Sequence, residues 1–291
     1  MRIHVVQSGD TIRSIAARYG TTEERIISNN EITDPTRLVV GQTLVIMYPD
    51  LVHVVKPGES LFSIATQYGT DIVTLLQNNP SIIGKDILPG EELVITYTGE
   101  KLGNSTVNGY AYPYIDREIL RKTLPYLTYI SIFTYGFTPE GELVTIDDEE
   151  IINMAKEYRV APLMLISTYT QEGTFDNELA SAMFYNMEVQ NNLINNIIAN
   201  MKEKGYYGLD IDFEYIKPED RQAFVDFVRN ITTRANSEGY EVMVALAPKT
   251  SAEQKGLLYE AHDYTQIGQI ANWVLLMTYE WGYTYVHSRC R

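Results

Sequence analysis

Gly208-Leu209-Asp210-Ile211-Asp212-Phe213-Glu214-Tyr215 places three carboxylates at every second position, with apolar residues between them. Successive side chains of a β-strand point to opposite faces. Asp210, Asp212 and Glu214 are therefore expected on one face, with Leu209, Ile211, Phe213 and Tyr215 on the other. Three acids within about 13 Å repel one another, and folding gains nothing from the arrangement. Such a row is expected where a reaction needs a proton donor beside a carboxylate that stays charged. A solvent-facing strand or a metal site would also use acids, but no His lies in the stretch and the four His of the chain are scattered.

Outward from this stretch, apolar strands alternate with helical patterns. Candidate strands are 107–112, 129–137, 161–167, 207–214, 241–247 and 273–279. Helical patterns lie near 116–124, 148–157, 188–204, 218–238 and 252–270. Val189, Leu193, Ile197 and Met201 form a stripe at four-residue spacing, and Pro218 suits a first helical turn. Strands each followed by a helix predict a parallel α/β domain, an open sheet or a barrel. Acids at strand ends, with Glu214 closing the fourth and Tyr279-Glu280-Trp281 the sixth, favour the barrel, whose chemistry sits at the C-terminal ends of its strands. An open sheet holding a nucleotide would want a glycine-rich loop after the first strand, and Gly109-Tyr110-Ala111-Tyr112-Pro113 is not one.

The first hundred residues are built differently. His4-Val5-Val6-Gln7-Ser8-Gly9-Asp10-Thr11-Ile12 matches His53-Val54-Val55-Lys56-Pro57-Gly58-Glu59-Ser60-Leu61 at an offset of 49. The offset holds through Tyr19/Tyr68, Gly20/Gly69, Asn29-Asn30/Asn78-Asn79 and Leu44-Val45-Ile46/Leu93-Val94-Ile95, so one unit occurs twice. Each copy reads strand, helix, helix, strand. Gly20 suits a left-handed helix end, and Thr21-Thr22-Glu23-Glu24 offers a capping box for the second helix. Polar, glycine-containing residues 98–106 read as a linker.

The 291-residue chain is 45% hydrophobic and 21% charged, as a globular protein is. A net charge of −15 argues against nucleic acid and against a polybasic membrane contact. The 22 Tyr suit sugar rings, and equally suit strands and cores. The single Cys290 leaves no internal disulfide. Met1-Arg2-Ile3-His4-Val5-Val6 lacks the apolar core of a signal peptide, and no apolar run reaches membrane-spanning length. Synthesis in the cytoplasm without a standard export signal is the expectation.

The opening His-x-Val, Gly-Asp/Glu-Thr/Ser, Ile-Ala-x-x-Tyr-Gly, Asn-Asn and closing Gly-x-x-Leu-x-Ile elements resemble the LysM module, over about 3–47 and 52–96. The resemblance implies binding of N-acetylglucosamine-containing glycans such as peptidoglycan or chitin. Its groove points to Gly9, Asp10, Thr11 and Leu38 in the first copy and Gly58, Glu59, Ser60 and Ile87 in the second. Tyr207 through Glu214 resembles the Asp-x-x-Asp-x-Asp-x-Glu signature of glycoside hydrolase family 18, with Tyr207 in place of the outermost acid. Met277-Thr278-Tyr279-Glu280 matches that family's sixth-strand pattern. The expected organisation is LysM modules at 1–48 and 51–97, the linker at 98–106, and a (β/α)8 TIM-barrel-type catalytic domain at 107–291. The pairing of LysM modules with such a barrel resembles the spore cortex-lytic N-acetylglucosaminidases of germinating spores and implies association with the spore coat or cortex.

That resemblance implies a retaining hydrolysis without a protein nucleophile. Glu214 is cast as the acid on the leaving oxygen, Asp212 as the holder of the substrate's acetamide N–H, Asp210 as the group behind it, and Tyr279 as a hydroxyl donor to the acetamide oxygen. Met277, Glu280, Trp281 and Tyr110 are the expected substrate contacts, with no cofactor and no metal. The 185 residues from Val107 to Arg291 fall short of the about 250 usual for eight βα units. Six strands are counted and the tail Val286-His287-Ser288-Arg289-Cys290-Arg291 is basic, so an incomplete barrel from a truncated or frameshifted chain is expected. The alternatives are an inert barrel remnant that only binds peptidoglycan or chitin, and a chitinase.

Overall fold

The computed structural model describes residues 1–99, 103–170 and 174–278. They form two compact units: Met1–Thr106 with Asp116–Tyr126, and Val107–Ile115 with the chain from Leu127 onward.

The first unit contains two βααβ repeats. Strand β1 (Arg2–Val5), helices α1 (Ile12–Tyr19) and α2 (Glu23–Asn29) and strand β2 (Thr43–Ile46) make the first. Strand β3 (Pro49–Val54), helices α3 (Leu61–Tyr68) and α4 (Ile72–Asn78) and strand β4 (Glu92–Tyr97) make the second. Each strand pair is antiparallel. Thr11 and Ser60 open α1 and α3 with reciprocal capping boxes to Ser14 and Ser63. Thr22 caps α2 by accepting from the Arg25 amide alone, so the box expected there belongs to the preceding helix instead. Gly20 and Gly69 end α1 and α3 at φ 64° and 62°, where a Cβ would be strained. The second Asn of each Asn-Asn pair ties helix to strand: the Asn30 carboxamide donates to the Ile26 and Val45 carbonyls and accepts from the Val45 amide at 2.7 Å, and Asn79 repeats this with Leu75 and Val94. Ile15, Ile26 and Leu44, and their counterparts Ile64, Leu75 and Leu93, fill the two small cores.

The second unit begins with β5 (Asn108–Ala111). Helix α5 (Arg117–Thr123) and the 3₁₀ turn Leu124–Tyr126 that follow it group with the first unit, where the Gln77 side chain donates to the Pro125 carbonyl at 2.6 Å. Then come β6 (Tyr129–Phe137), β7 (Leu143–Val144), α6 (Glu149–Glu157), β8 (Ala161–Ser167), α7 (Asn177–Tyr185) and α8 (Met187–Lys204). They are followed by β9 (Gly208–Asp212), α9 (Arg221–Ser237), β10 (Glu241–Leu246), α10 (Tyr264–Ile270) and β11 (Trp273–Leu276). The sheet runs β11-β10-β9-β8-β6-β5, with every pair parallel, and β7 adds antiparallel to β6. All six expected strands are present, and among the described residues the sheet does not close on itself. Strands β8, β9 and β10 are buried on both faces, as parallel strands covered by helices must be. Leu193, Ile197 and Met201 of the α8 stripe are fully buried.

Three expectations are corrected. The helical pattern at 252–270 is helix only from Tyr264. Gly256 at φ 129° cannot continue a helix, and the Asp263 carboxylate caps α10 through the Gln266 amide, so the residues before it run as turns. Helix α7, opened by the Asp176 cap, has no counterpart in the expected pattern. Strand β9 ends at Asp212 rather than Glu214, because the chain turns at Tyr215 with φ 55°.

A buried carboxylate ties this unit together on the helix side. Asp148, 1% exposed, accepts from the Tyr135 and Tyr206 hydroxyls and from Lys204 Nζ at 2.6 Å, joining the start of α6 to β6, the end of α8 and the entry of β9. No helix among the described residues is long and apolar enough to cross a membrane.

Candidate active site

β9 lies in the interior of the sheet, between β8 and β10, and its side chains divide as the period of two demands. On the helix side, Phe213 is fully buried and stacks with Phe137, Phe224 and Phe227, at centroid distances of 5.9, 6.0 and 5.5 Å. This packing fixes the orientation of the strand end. On the other face lie Asp210, fully buried, and Asp212, 7% exposed. Asp210 Oδ2 accepts from the Ser131 hydroxyl of β6 at 2.7 Å, and Nδ2 of the Asn108 side chain of β5 donates to the same Ser131 oxygen at 3.2 Å. Tyr110 also bonds Asp210 through its hydroxyl.

The electrostatics follow from burial. Burial pushes the Asp210 carboxyl up to about 7, against the opposing pull of the Ser131 and Tyr110 hydroxyls. Asp212 is pushed to about 8 by burial, then by the Asp210 and Glu214 charges beside it. Two such neighbours titrate as a pair, and the pair retains a proton at neutral pH. Asp210 Oδ1 and Asp212 Oδ1 are buried with no hydrogen-bond partner among the described residues. An oxygen in that state costs folding free energy, and a ligand N–H or a shared proton would satisfy it. Glu214, half-buried, stands two residues beyond the strand end, between buried Phe213 and half-exposed Tyr215.

Ser167, the register partner of Asp212 on β8, is fully buried and accepts from the Thr134 hydroxyl at 2.9 Å. His262 reaches the site from the segment before α10. The Ala247 amide donates to its Nδ1 at 2.9 Å, and its Nε2 bonds the Phe213 carbonyl at 3.0 Å. Sequence reasoning missed these groups. Ser131 left a signal, a lone hydroxyl inside the apolar run Tyr129-Ile130-Ser131-Ile132-Phe133. His262 left none, because it stood inside a stretch read as helix.

The remaining expected residues divide. Tyr110 faces the acids, 37% exposed. Met277 is 4% exposed and packs with Ala245 and Ala247. Tyr279, Glu280 and Trp281 lie outside the described residues. No cluster of metal-ligating side chains occurs among the described residues.

In the first unit, Asp10 and Glu59 are engaged internally. His4 bridges the Tyr19 hydroxyl at 3.2 Å and Asp10 Oδ2 at 2.9 Å, and that carboxylate also accepts from the Gln7 amide at 2.8 Å. His53, Tyr68, Glu59 and the Lys56 amide repeat the arrangement at 3.0, 2.7 and 2.7 Å. The backbone donor and the imidazole hold both carboxyls below their usual values. The Thr11 and Ser60 hydroxyls are occupied as helix caps. Gly9 and Gly58 turn at φ 89° and 82°. Val39 and Val40, at 67% and 66% exposure, follow Leu38, and Leu88 at 60% follows Ile87, so each repeat carries an exposed apolar turn.

Two families of known proteins match the chain. Residues 4–46 and 53–96 each match the LysM domain, and residues 94–288 match the glycosyl hydrolases family 18. A cortical fragment-lytic enzyme of Bacillus subtilis (strain 168) is 47% identical over 290 residues, covering 98% of this chain and 67% of that protein. One from Bacillus cereus is 41% identical over 292 residues, covering 97% of this chain and 66% of that protein. The crystal structure of the spore cortex-lytic enzyme SleL from Bacillus megaterium QM B1551 superposes with a TM-score of 0.76 at 32% identity, covering 98% of this chain and 68% of that one. The chain thus spans about two thirds of the length of these relatives.

Proposed function

The chain belongs to the family 18 glycosyl hydrolases and carries two LysM domains, and on that premise we propose that it cleaves β-1,4 bonds of spore-cortex peptidoglycan as an N-acetylglucosaminidase. The observation that carries the reading is the buried Asp210–Asp212 pair with Glu214 two residues past the strand end. Glu214 gives its proton to the glycosidic oxygen as the bond to the anomeric carbon breaks. The carbonyl oxygen of the substrate's own 2-acetamido group attacks that carbon, which is the substrate-assisted route known for this family. Asp212 accepts the acetamide N–H with the oxygen that has no partner among the described residues, and offsets the positive charge that develops on the ring formed. Asp210, held by Ser131 and Tyr110, takes up or releases the proton the pair shares. Water then enters on the same face, Glu214 takes its proton, and the product keeps its configuration. The intramolecular nucleophile removes the cost of bringing a second group to the carbon. Tyr279 is assigned the hydroxyl that steadies the acetamide oxygen.

The LysM repeats are assigned the anchoring of the chain to the N-acetylglucosamine-containing glycan through their exposed turns. On this reading the protein acts at the spore cortex, a reading supported by its similarity to cortical fragment-lytic enzymes. The test is Glu214→Gln assayed on cortex muropeptides and on chitooligosaccharides. A loss of turnover of at least a thousandfold on muropeptides, with binding to insoluble peptidoglycan unchanged, is expected. Unaltered turnover would overturn the assignment. A wild-type chain that binds peptidoglycan without cleaving it would reduce the function to binding, and faster turnover of chitooligosaccharides would make it a chitinase.

A further inference from the structure

β9 and β10 stay paired only as far as Ile211 and Val244. Beyond that register the strands part, and the His262 ring fills the gap between the Phe213 carbonyl and the Ala247 amide. A backbone amide only donates and a carbonyl only accepts. Nδ1 is therefore the bare nitrogen and Nε2 carries the hydrogen, which fixes one neutral tautomer. A ring in that tautomer, with one donor and one acceptor, satisfies both backbone groups.

The ring is itself fixed from several sides. It is 1% exposed and lies against Phe224 at a centroid distance of 6.0 Å. Lys249 Nζ donates to the His262 carbonyl at 2.9 Å. The next residue, Asp263, caps α10 and pairs with Arg221 at 2.8 Å. Glu214 follows directly on the clamped Phe213 carbonyl, and Tyr215 then turns at φ 55°, a backbone region that a bulky side chain occupies only under constraint. The peptide that presents Glu214 is thus held by a hydrogen bond on one side and a strained turn on the other.

The geometry points to His262 as a positioning residue: by joining the Phe213 carbonyl to the Ala247 amide, its imidazole fixes the backbone from which the Glu214 carboxyl is presented. This rests on Glu214 being the proton donor. A displacement of about 1 Å at a reacting group costs about a hundredfold in rate, so the effect belongs in kcat. Glutamine offers an acceptor and a donor to the same two backbone groups, whereas phenylalanine keeps the ring and offers neither.

The test compares His262→Phe, His262→Gln and Glu214→Gln in the full chain acting on cortex muropeptides. His262→Phe is expected to lower kcat by about 10- to 100-fold with KM within about threefold. His262→Gln is expected to restore kcat to within about fivefold of wild type. Hydrogen exchange across 211–217 reads the same order without turnover, faster in the Phe variant and restored in the Gln variant. Wild-type kcat and exchange in His262→Phe overturn the proposal. So does a folded Gln variant as impaired as the Phe variant, and where Phe does not fold, the Gln variant decides alone. Turnover retained by Glu214→Gln sinks the proton-donor assignment instead, and an inactive Glu214→Gln beside an unaltered His262→Phe sinks only the positioning role.

Discussion

Asp210→Asn isolates the cost of burying a charge at the site. Asp210 is fully buried, and burial raises its carboxyl from 3.8 to about 7. An acid raised on folding keeps its proton in the native state at pH values where the unfolded chain has lost it. Its contribution to stability therefore falls as pH rises from the unfolded value through the folded one. At pH 5 the unfolded carboxyl is already ionised and the native one is protonated. From there to about pH 7 the penalty grows by about 1.4 kcal/mol per pH unit, about 3 kcal/mol in all, and it levels off above that. Asparagine has no proton to lose, and whatever its amide costs in packing is the same at every pH. The stability of Asp210→Asn relative to wild type should thus improve by about 3 kcal/mol between pH 5 and pH 8. Removing the Asp210 charge also relieves Asp212, which acts in the same direction. His262, held neutral with its imidazole lowered to about 4, loses stability as pH falls below its ordinary 6.5, but equally in both proteins. Urea unfolding followed by tryptophan fluorescence reports this unit, because Trp273 on β11 lies in it. Parallel stability curves for the two proteins from pH 5 to pH 8 would refute the reasoning.

Two further outcomes are expected. Asp148→Ala strands the Tyr135 and Tyr206 hydroxyls and the Lys204 ammonium, and should cost about 3–5 kcal/mol in urea unfolding; a loss below about 1 kcal/mol would show that water replaces the carboxylate. Asp10→Glu and Glu59→Asp should leave hydrogen exchange of their repeats close to wild type, because each copy already uses the other's acid, whereas Asp10→Ala should speed exchange across 2–19 and 43–46.

The parallel sheet was legible because its strands are short apolar runs bounded by turns, and the acid row was legible because a period of two carries through 208–212. The same rule overran by two residues. Nothing local in Phe213-Glu214-Tyr215 announces a positive φ at a tyrosine, since the constraint comes from the packing of Phe213 and the grip of His262. Residues 252–263 misled for the opposite reason: their composition suits a helix, but Gly256 and the Asp263 cap place the boundary late. In the repeats, Asp10 and Glu59 were expected in the groove through the LysM resemblance, and the structure adds an internal role, each accepting from a histidine and a backbone amide. His4, Asp10 and Tyr19 recur together as His53, Glu59 and Tyr68, and that joint recurrence was the available sign of an internal bond.

That recurrence bears on how the duplicated repeat can diverge. One copy carries the shorter acid and the other the longer, yet the histidine contacts differ by only 0.2 Å, at 2.9 and 2.7 Å. With the interior held by so tolerant a triad, the outward face of the first helix is free to drift, and it has done so: exposed Arg13 in one copy corresponds to Phe62, 70% exposed, in the other. The two copies thus present a cation and an aromatic ring at the same place on a shared scaffold, so their surface chemistry differs there while their interiors match.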